Sequence, residues 1–204
     1  MSPRPLLLAT ANAGKLRELR ELLGELAVVG LREVGITDDL PETADSFLGN
    51  ATQKAVEAAR RSGLPCLADD SGLCVDALGG APGVFSARYA GRHGDDAANR
   101  DLLLARMADV ADELRAARFR CVLVLADRGG PLGERVIATE GACEGRIARA
   151  PRGDGGFGYD PLFVPAGGAL TMAELPSAAK HALSHRGAAL RAMLPMLRAY
   201  LASL

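Results

Sequence analysis

The run Leu6-Leu7-Leu8-Ala9-Thr10 leads straight into the polar turn Ala11-Asn12-Ala13-Gly14, and leucines then recur at 16, 19, 22, 23 and 26. No other stretch limits the possible folds as much. An unbroken apolar run fits a short buried strand, and the leucine spacing fits one face of a helix punctuated by Gly24. Strand, turn and helix in that order open an α/β unit.

The remaining chain continues the mixture. Val28–Val34 predicts a second strand, and residues 35–45, which contain Pro41, a loop. Ser46 is placed to cap a helix with a stripe of small residues at Ala51, Ala55, Ala58 and Ala59, closed by Gly63 and Pro65. Cys66-Leu67-Ala68 predicts a buried strand ending at Asp69-Asp70-Ser71-Gly72, after which Leu73-Cys74-Val75 resumes the apolar run. Residues 79–94 read as irregular, and Asp95–Met107 as a helix with Leu102, Leu103 and Met107 inward. Arg118–Ala126 and Glu134–Gly141 predict a hairpin around residues 127–133. A glycine-rich loop spans Pro151–Pro161. Ser184–Leu204 predicts a last helix, kinked at Pro195, with Leu190, Met193, Leu194, Leu197 and Leu201 facing core or a subunit contact. At 204 residues the chain is sized for one α/β domain over 1–204, with an antiparallel portion.

Charge excludes some partners. Twenty-four Lys and Arg face 25 Asp and Glu, so bulk electrostatics offers no reason to bind nucleic acid or an anionic membrane. The apolar run at the N-terminus is too short for a signal-peptide core or a membrane span. Cys66, Cys74, Cys121 and Cys143 are not spaced as a zinc or redox motif and read as buried free thiols, which fits a cytoplasmic protein. Only three basic residues are lysine: Lys15, Lys54 and Lys180.

Four constellations carry chemistry. The turn Thr10, Ala11, Asn12, Ala13, Gly14 and Lys15 offers backbone N–H groups and a helix N-terminus to an anion. It is not a P-loop, because Ala9 stands at the first glycine position and Leu16 follows the lysine. Its ordinary alternative is an αβ turn with a solvated lysine. Asp69 and Asp70, with Glu42 upstream, require positive compensation, and hard oxygen ligands suit Mg²⁺; the alternative is a pair of acids capping a turn. The loop Phe157-Gly158-Tyr159-Asp160 supplies flat faces for a base and an acceptor, or is a tight loop with aromatic anchors. Lys180, His185 and Arg186 offer donors near a helix start, or serve as packing and surface ion-pair residues.

Taken in order, the segments TANAGKLRE, LPETADSFLGNATQKA, ADDSGLCVDALGGAPGVFSARYAG, PRGDGGFGYDPLF, and TMAEL with KHALSHR resemble the inosine triphosphate pyrophosphatase family, its bacterial branch most closely, over nearly the whole chain. The resemblance implies a mixed elongated sheet flanked by helices, in two lobes with a cleft between them. It implies Mg²⁺-dependent hydrolysis of ITP, dITP and XTP to monophosphate and pyrophosphate by a homodimer. Thr10–Lys15 would hold the triphosphate. Glu42 and Asp70 would bind the metal, with Asp70 as base and Asp69 able to exchange that role. Ser71, Lys54 and Lys180 would contact nucleotide, and Phe157–Asp160 with His185 and Arg186 would form the base pocket, Arg186 donating to O6 and Asp160 accepting from N1–H. Two positions depart from the family pattern. Ala11 replaces a glycine and would be strained at positive φ, and Gly49 replaces a glutamate. Rival readings are a non-catalytic purine nucleotide sensor and a pyrophosphatase for modified pyrimidine nucleotides.

Overall fold

The computed structural model describes residues 4–204. One six-stranded sheet runs in the order β2-β1-β3-β4-β5-β6. Its strands are β1 (Leu6–Ala9), β2 (Val28–Gly30), β3 (Cys66–Val75), β4 (Ala116–Ala126), β5 (Val136–Ile147) and β6 (Phe163–Pro165). β1 pairs in parallel with β2 and with β3, whereas β5 and β6 are antiparallel, so the sheet is mixed. The helices are α1 (Ala13–Leu23), α2 (Phe47–Ser62), α3 (Asp96–Arg106), α4 (Ser177–Leu183) and α5 (His185–Ala202). No helix among the described residues is long and apolar enough to cross a membrane.

The helix boundaries follow from local chemistry. Asn12 caps α1 by accepting from the Lys15 N–H (3.0 Å), and Gly24 ends it. Ser46 caps α2 by accepting from the Gly49 N–H (3.2 Å), and Gly63 closes it in the left-handed region that favours glycine. The fully buried Ala51, Ala55 and Ala58 let α2 lie close against β1.

Contacts divide the chain into two compact units. The first comprises the described residues up to Asp70, Cys121–Gly141 and Arg186–Leu204. Its core joins Leu6 and Leu8 of β1, Leu19 and Leu23 of α1, Leu123 and Leu125 of β4, and Leu190, Met193 and Leu197 of α5. The apolar stripe of the last helix is therefore core. The second unit comprises Ser71–Arg120 and Ala142–His185, around Leu73, Leu103, Met107, Phe119, Ile147, Leu162 and Phe163.

Four elements differ from the sequence expectation. β2 stops at Gly30, because the Glu33 carboxylate accepts from the Gly30 N–H (2.5 Å) and the chain turns into a 3₁₀ segment, Leu31–Val34. β3 does not break at Asp69; it runs unbroken to Val75, with both acids inside the strand. β5 extends to Ile147, and α4, which sequence reasoning did not resolve, precedes α5. All four cysteines are free thiols; three are buried and Cys74 is half-buried.

Candidate active site

Successive residues of a strand point to opposite faces. That rule separates Asp69 from Asp70. Asp69 is fully buried and accepts from Lys15 Nζ (2.7 Å), Arg186 Nε (2.7 Å) and the Cys121 thiol (3.2 Å). Burial alone would push its carboxyl up, but Arg186 and Lys15 outweigh that and hold it well below the usual carboxylate range. Arg186 in turn donates from Nη1 to Glu18 of α1. Glu18, Arg186, Asp69 and Lys15 thus form a chain of alternating charges, from which only Lys15 reaches appreciably into solvent.

Asp70 has a different environment. Its Oδ1 lies 3.3 Å from Lys54 Nζ, and its Oδ2 is buried with no hydrogen-bond partner. Burial raises its carboxyl above the usual range, only partly countered by Lys54 and Lys15. The Lys54 ammonium also donates to the Glu42 carboxylate and to the Asp69 carbonyl (2.8 Å). Three acceptors surround its three protons. Burial disfavours that charge, but Asp70 and Glu42 more than restore it and raise the lysine above its ordinary value.

The turn at the head of α1 is ordered by its own side chains. The Thr10 hydroxyl accepts from the Asn12 N–H (3.2 Å), and residues 11–13 are exposed. The N–H groups of the first helical turn, including those of Ala13 and Gly14, have no partners within the helix. No non-glycine residue among those described has positive φ, so Ala11 is unstrained. At Gly49 a Cβ would stand 2.5 Å from Ala44 Cβ, so this position has no room for the glutamate that the family pattern supplies.

The second unit holds the glycine-rich loop. The buried Asp160 carboxylate accepts from the Phe157 N–H (2.9 Å) and from Lys180 Nζ (2.6 Å), and Lys180 lies 5.2 Å from the centre of the half-buried Phe157 ring. Gly156 is required here: its φ is +73° and a Cβ would fall 2.1 Å from the Asp160 carboxylate. Ser71, half-buried, begins this unit.

Three further candidate residues have specific surroundings. Tyr159 is not a free stacking face; it is core, and its hydroxyl donates to the Ser86 carbonyl (2.9 Å). His185 stacks on Phe119, with ring centres 4.8 Å apart. Arg186 is buried in the first unit, where it donates to the buried carboxylates of Asp69 and Glu18. Sequence reasoning missed Glu18. Its signal was a position three residues after Lys15, where helical side chains share a face.

The carboxylates fit a hard divalent cation. Glu42 and Asp70 converge on one ammonium, and the unpartnered Asp70 Oδ2 is an open oxygen ligand in a buried setting. Among the described residues no three His, Cys, Asp or Glu side chains form a ready cage. Two carboxylates completed by water and phosphate oxygens is the coordination habit of Mg²⁺.

The model of the Ham1 family matches residues 6–196. A dITP/XTP pyrophosphatase of Nocardia farcinica is 53% identical, over 98% of this chain and 97% of that protein. One from Streptomyces coelicolor is 52% identical, over 95% and 96%. Among solved structures, a Mycobacterium abscessus nucleoside-triphosphatase, also named dITP/XTP pyrophosphatase, is 49% identical with a TM-score of 0.74, over 94% of this chain and 99% of that one. The Ham1 protein of Staphylococcus aureus is 34% identical with a TM-score of 0.83, over 96% and 99%.

Proposed function

The chain belongs to the Ham1 family, and from that membership and the geometry above we propose how it works. It is a nucleoside triphosphate pyrophosphatase that hydrolyses non-canonical purine nucleotides, dITP and XTP among them, to monophosphate and pyrophosphate. One observation carries the mechanism: neighbouring acids of β3 have opposite environments. Asp69 is saturated by cations and fixes Lys15; Asp70, with a raised carboxyl and an open Oδ2, is the working acid.

In this proposal the triphosphate binds at the head of α1, on the N–H groups of residues 12–14, the Thr10 hydroxyl and Lys15. Lys15 and Lys54 stabilise the charge that develops on departing pyrophosphate. Glu42 and Asp70 would hold Mg²⁺, which would neutralise phosphate charge and make the phosphorus more electrophilic. The Asp70 carboxylate accepts the proton of the attacking water, and no covalent intermediate is needed. Asp69 orients Lys15 and takes no proton, because Arg186 and Lys15 hold it ionised.

Base choice is assigned to the second unit. Phe157 stacks on the purine, and the Asp160–Lys180 pair presents an acceptor for N1–H beside a donor for O6. Hypoxanthine and xanthine offer that pattern and adenine offers the reverse, so adenine would leave buried groups unpaired. Ser71 contacts the nucleotide next to Asp70. Family membership also motivates a homodimer and a cytoplasmic location, the latter supported by four free cysteines.

The test is pyrophosphate release from dITP, XTP, dATP and dGTP by the wild type and by Lys180→Ala. The proposal expects selective release with dITP and XTP, and a selectivity against dATP that collapses in the variant. Equal rates on all four with wild-type protein would refute the base assignment.

A further inference from the structure

Two side chains outside every role above grip the base loop. Asp96 and Arg100 stand four residues apart on α3, a spacing that puts them on one face of the helix. Asp96 Oδ2 accepts from the Gly158 N–H at 2.7 Å, and Arg100 Nη1 donates to the Gly158 carbonyl at 2.8 Å. Donor and acceptor of one residue are thus held by oppositely charged groups of one rigid element. Both bonds are charge-assisted, the stronger class of hydrogen bond.

The placement of this grip gives it consequence. Gly158 lies between Phe157, whose ring meets Lys180, and Tyr159, whose hydroxyl is fixed on Ser86. Its φ is +60°, in the left-handed region that favours glycine. The Asp160–Lys180 pair and the Tyr159–Ser86 bond anchor the downstream side of the loop. On the upstream side, Asp160 accepts from the Phe157 N–H, and the peptide that links Phe157 to Gly158 is the one whose N–H Asp96 holds. α3 is itself fixed: Asp95 caps it by accepting from the Ala98 N–H (3.1 Å), and the buried Asn99 accepts from the Ala90 N–H (2.7 Å). Asp96 and Arg100 are only half-buried, so the core does not require them.

We propose that Asp96 and Arg100 are positioning residues for base recognition, clamping Gly158 so that Phe157 and the Asp160–Lys180 pair are pre-set for a purine with a 6-oxo group. Neither touches substrate; both act through the loop. This rests on the assignment of the loop to the base. A loop held in its bound shape avoids an ordering cost that a loose loop meets on every binding event. The clamp therefore affects KM and base discrimination, while the phosphate chemistry of the first unit keeps its kcat.

The experiment compares wild type with Arg100→Ala, Arg100→Lys, Asp96→Ala and Asp96→Asn for kcat and KM on dITP and dATP, with thermal unfolding of each. Loss of one charge-assisted bond is expected to raise KM for dITP about ten-fold, with kcat within about two-fold and the preference over dATP reduced. Arg100→Lys and Asp96→Asn, which keep a donor or an acceptor in place, are expected to recover most of that loss. Wild-type KM and selectivity in folded Arg100→Ala and Asp96→Ala would overturn the clamp. So would an equal fall of kcat on both substrates that tracks a lowered melting temperature, since that is the mark of a merely structural contact. If an alanine variant fails to fold, Arg100→Met or Asp96→Leu, which keep bulk but remove the charged group, takes its place and is read by the same split. Failure of the underlying assignment reads differently: wild-type protein would then show no preference for dITP over dATP.

Discussion

Replacing Asp69 by asparagine keeps the side chain's shape and deletes the one charge that faces both Lys15 and Arg186. Glu18 remains beside Arg186, so that guanidinium keeps part of its compensation. Removing one partner of a buried ion pair costs about 3–5 kcal/mol, because the other charge stays desolvated. Lys15 keeps 14% of its side-chain surface exposed and can turn to water, which places the expected loss near the lower end, at about 3 kcal/mol. For a chain of this size that lowers the melting temperature by about 6–12 °C. The same substitution at Asp70 should behave differently. Burial already disfavours the Asp70 charge, so Asp70→Asn is expected to change stability by less than about 1 kcal/mol. Thermal unfolding of the two variants at neutral pH is the assay. Equal melting temperatures for the two variants would refute the division between an anchoring and a working carboxylate.

Other outcomes follow from the same geometry. Asp70→Asn should lower turnover about a thousand-fold, as expected for loss of a general base, which steady-state pyrophosphate release will show. Lys54→Arg should lower turnover at least about ten-fold, because a planar fork cannot serve the three acceptors that surround this ammonium. Gly49→Glu should destabilise by about 1–3 kcal/mol through its clash with Ala44, and Ala44→Gly in the same chain should relieve it in a denaturant titration. The pH dependence of stability has two opposed contributions. Asp69, with its carboxyl depressed, stabilises above the ordinary carboxylate range and loses this as pH falls through its folded value. Asp70, with its carboxyl raised, favours folding at low pH and loses this as pH rises through its folded value. Asp69→Asn should therefore flatten the acid-side loss seen in denaturant titrations, and Asp70→Asn should not.

Much of the fold could be read from local signals, because those signals agreed with tertiary packing. Asn12, Ser46, Gly24 and Gly63 bound their helices through hydrogen bonds made within a few residues, and the leucines of α1 face the core at helical spacing. What could not be read depended on partners far along the chain. The pair Asp69-Asp70 resembles a turn when taken alone. It continues as strand because Lys15, Lys54 and Arg186 supply the charge that water would otherwise supply. For the same reason the pairing of Arg186 with Glu18, 168 residues away, was not legible. The clamp of α3 on Gly158 joins residues 62 and 58 positions apart, and neither Asp96 nor Arg100 differs in sequence from an ordinary solvated helix residue.

The most direct measurement is identification of the products of dITP turnover, with Mg²⁺ and with a chelator, for wild type and Asp70→Asn. Wild-type protein should yield dIMP and pyrophosphate in equal amounts, only with the metal, and Asp70→Asn almost none while remaining folded. Formation of dIDP and phosphate, undiminished turnover with chelator, or near-wild-type turnover by Asp70→Asn would contradict hydrolysis at this carboxylate pair.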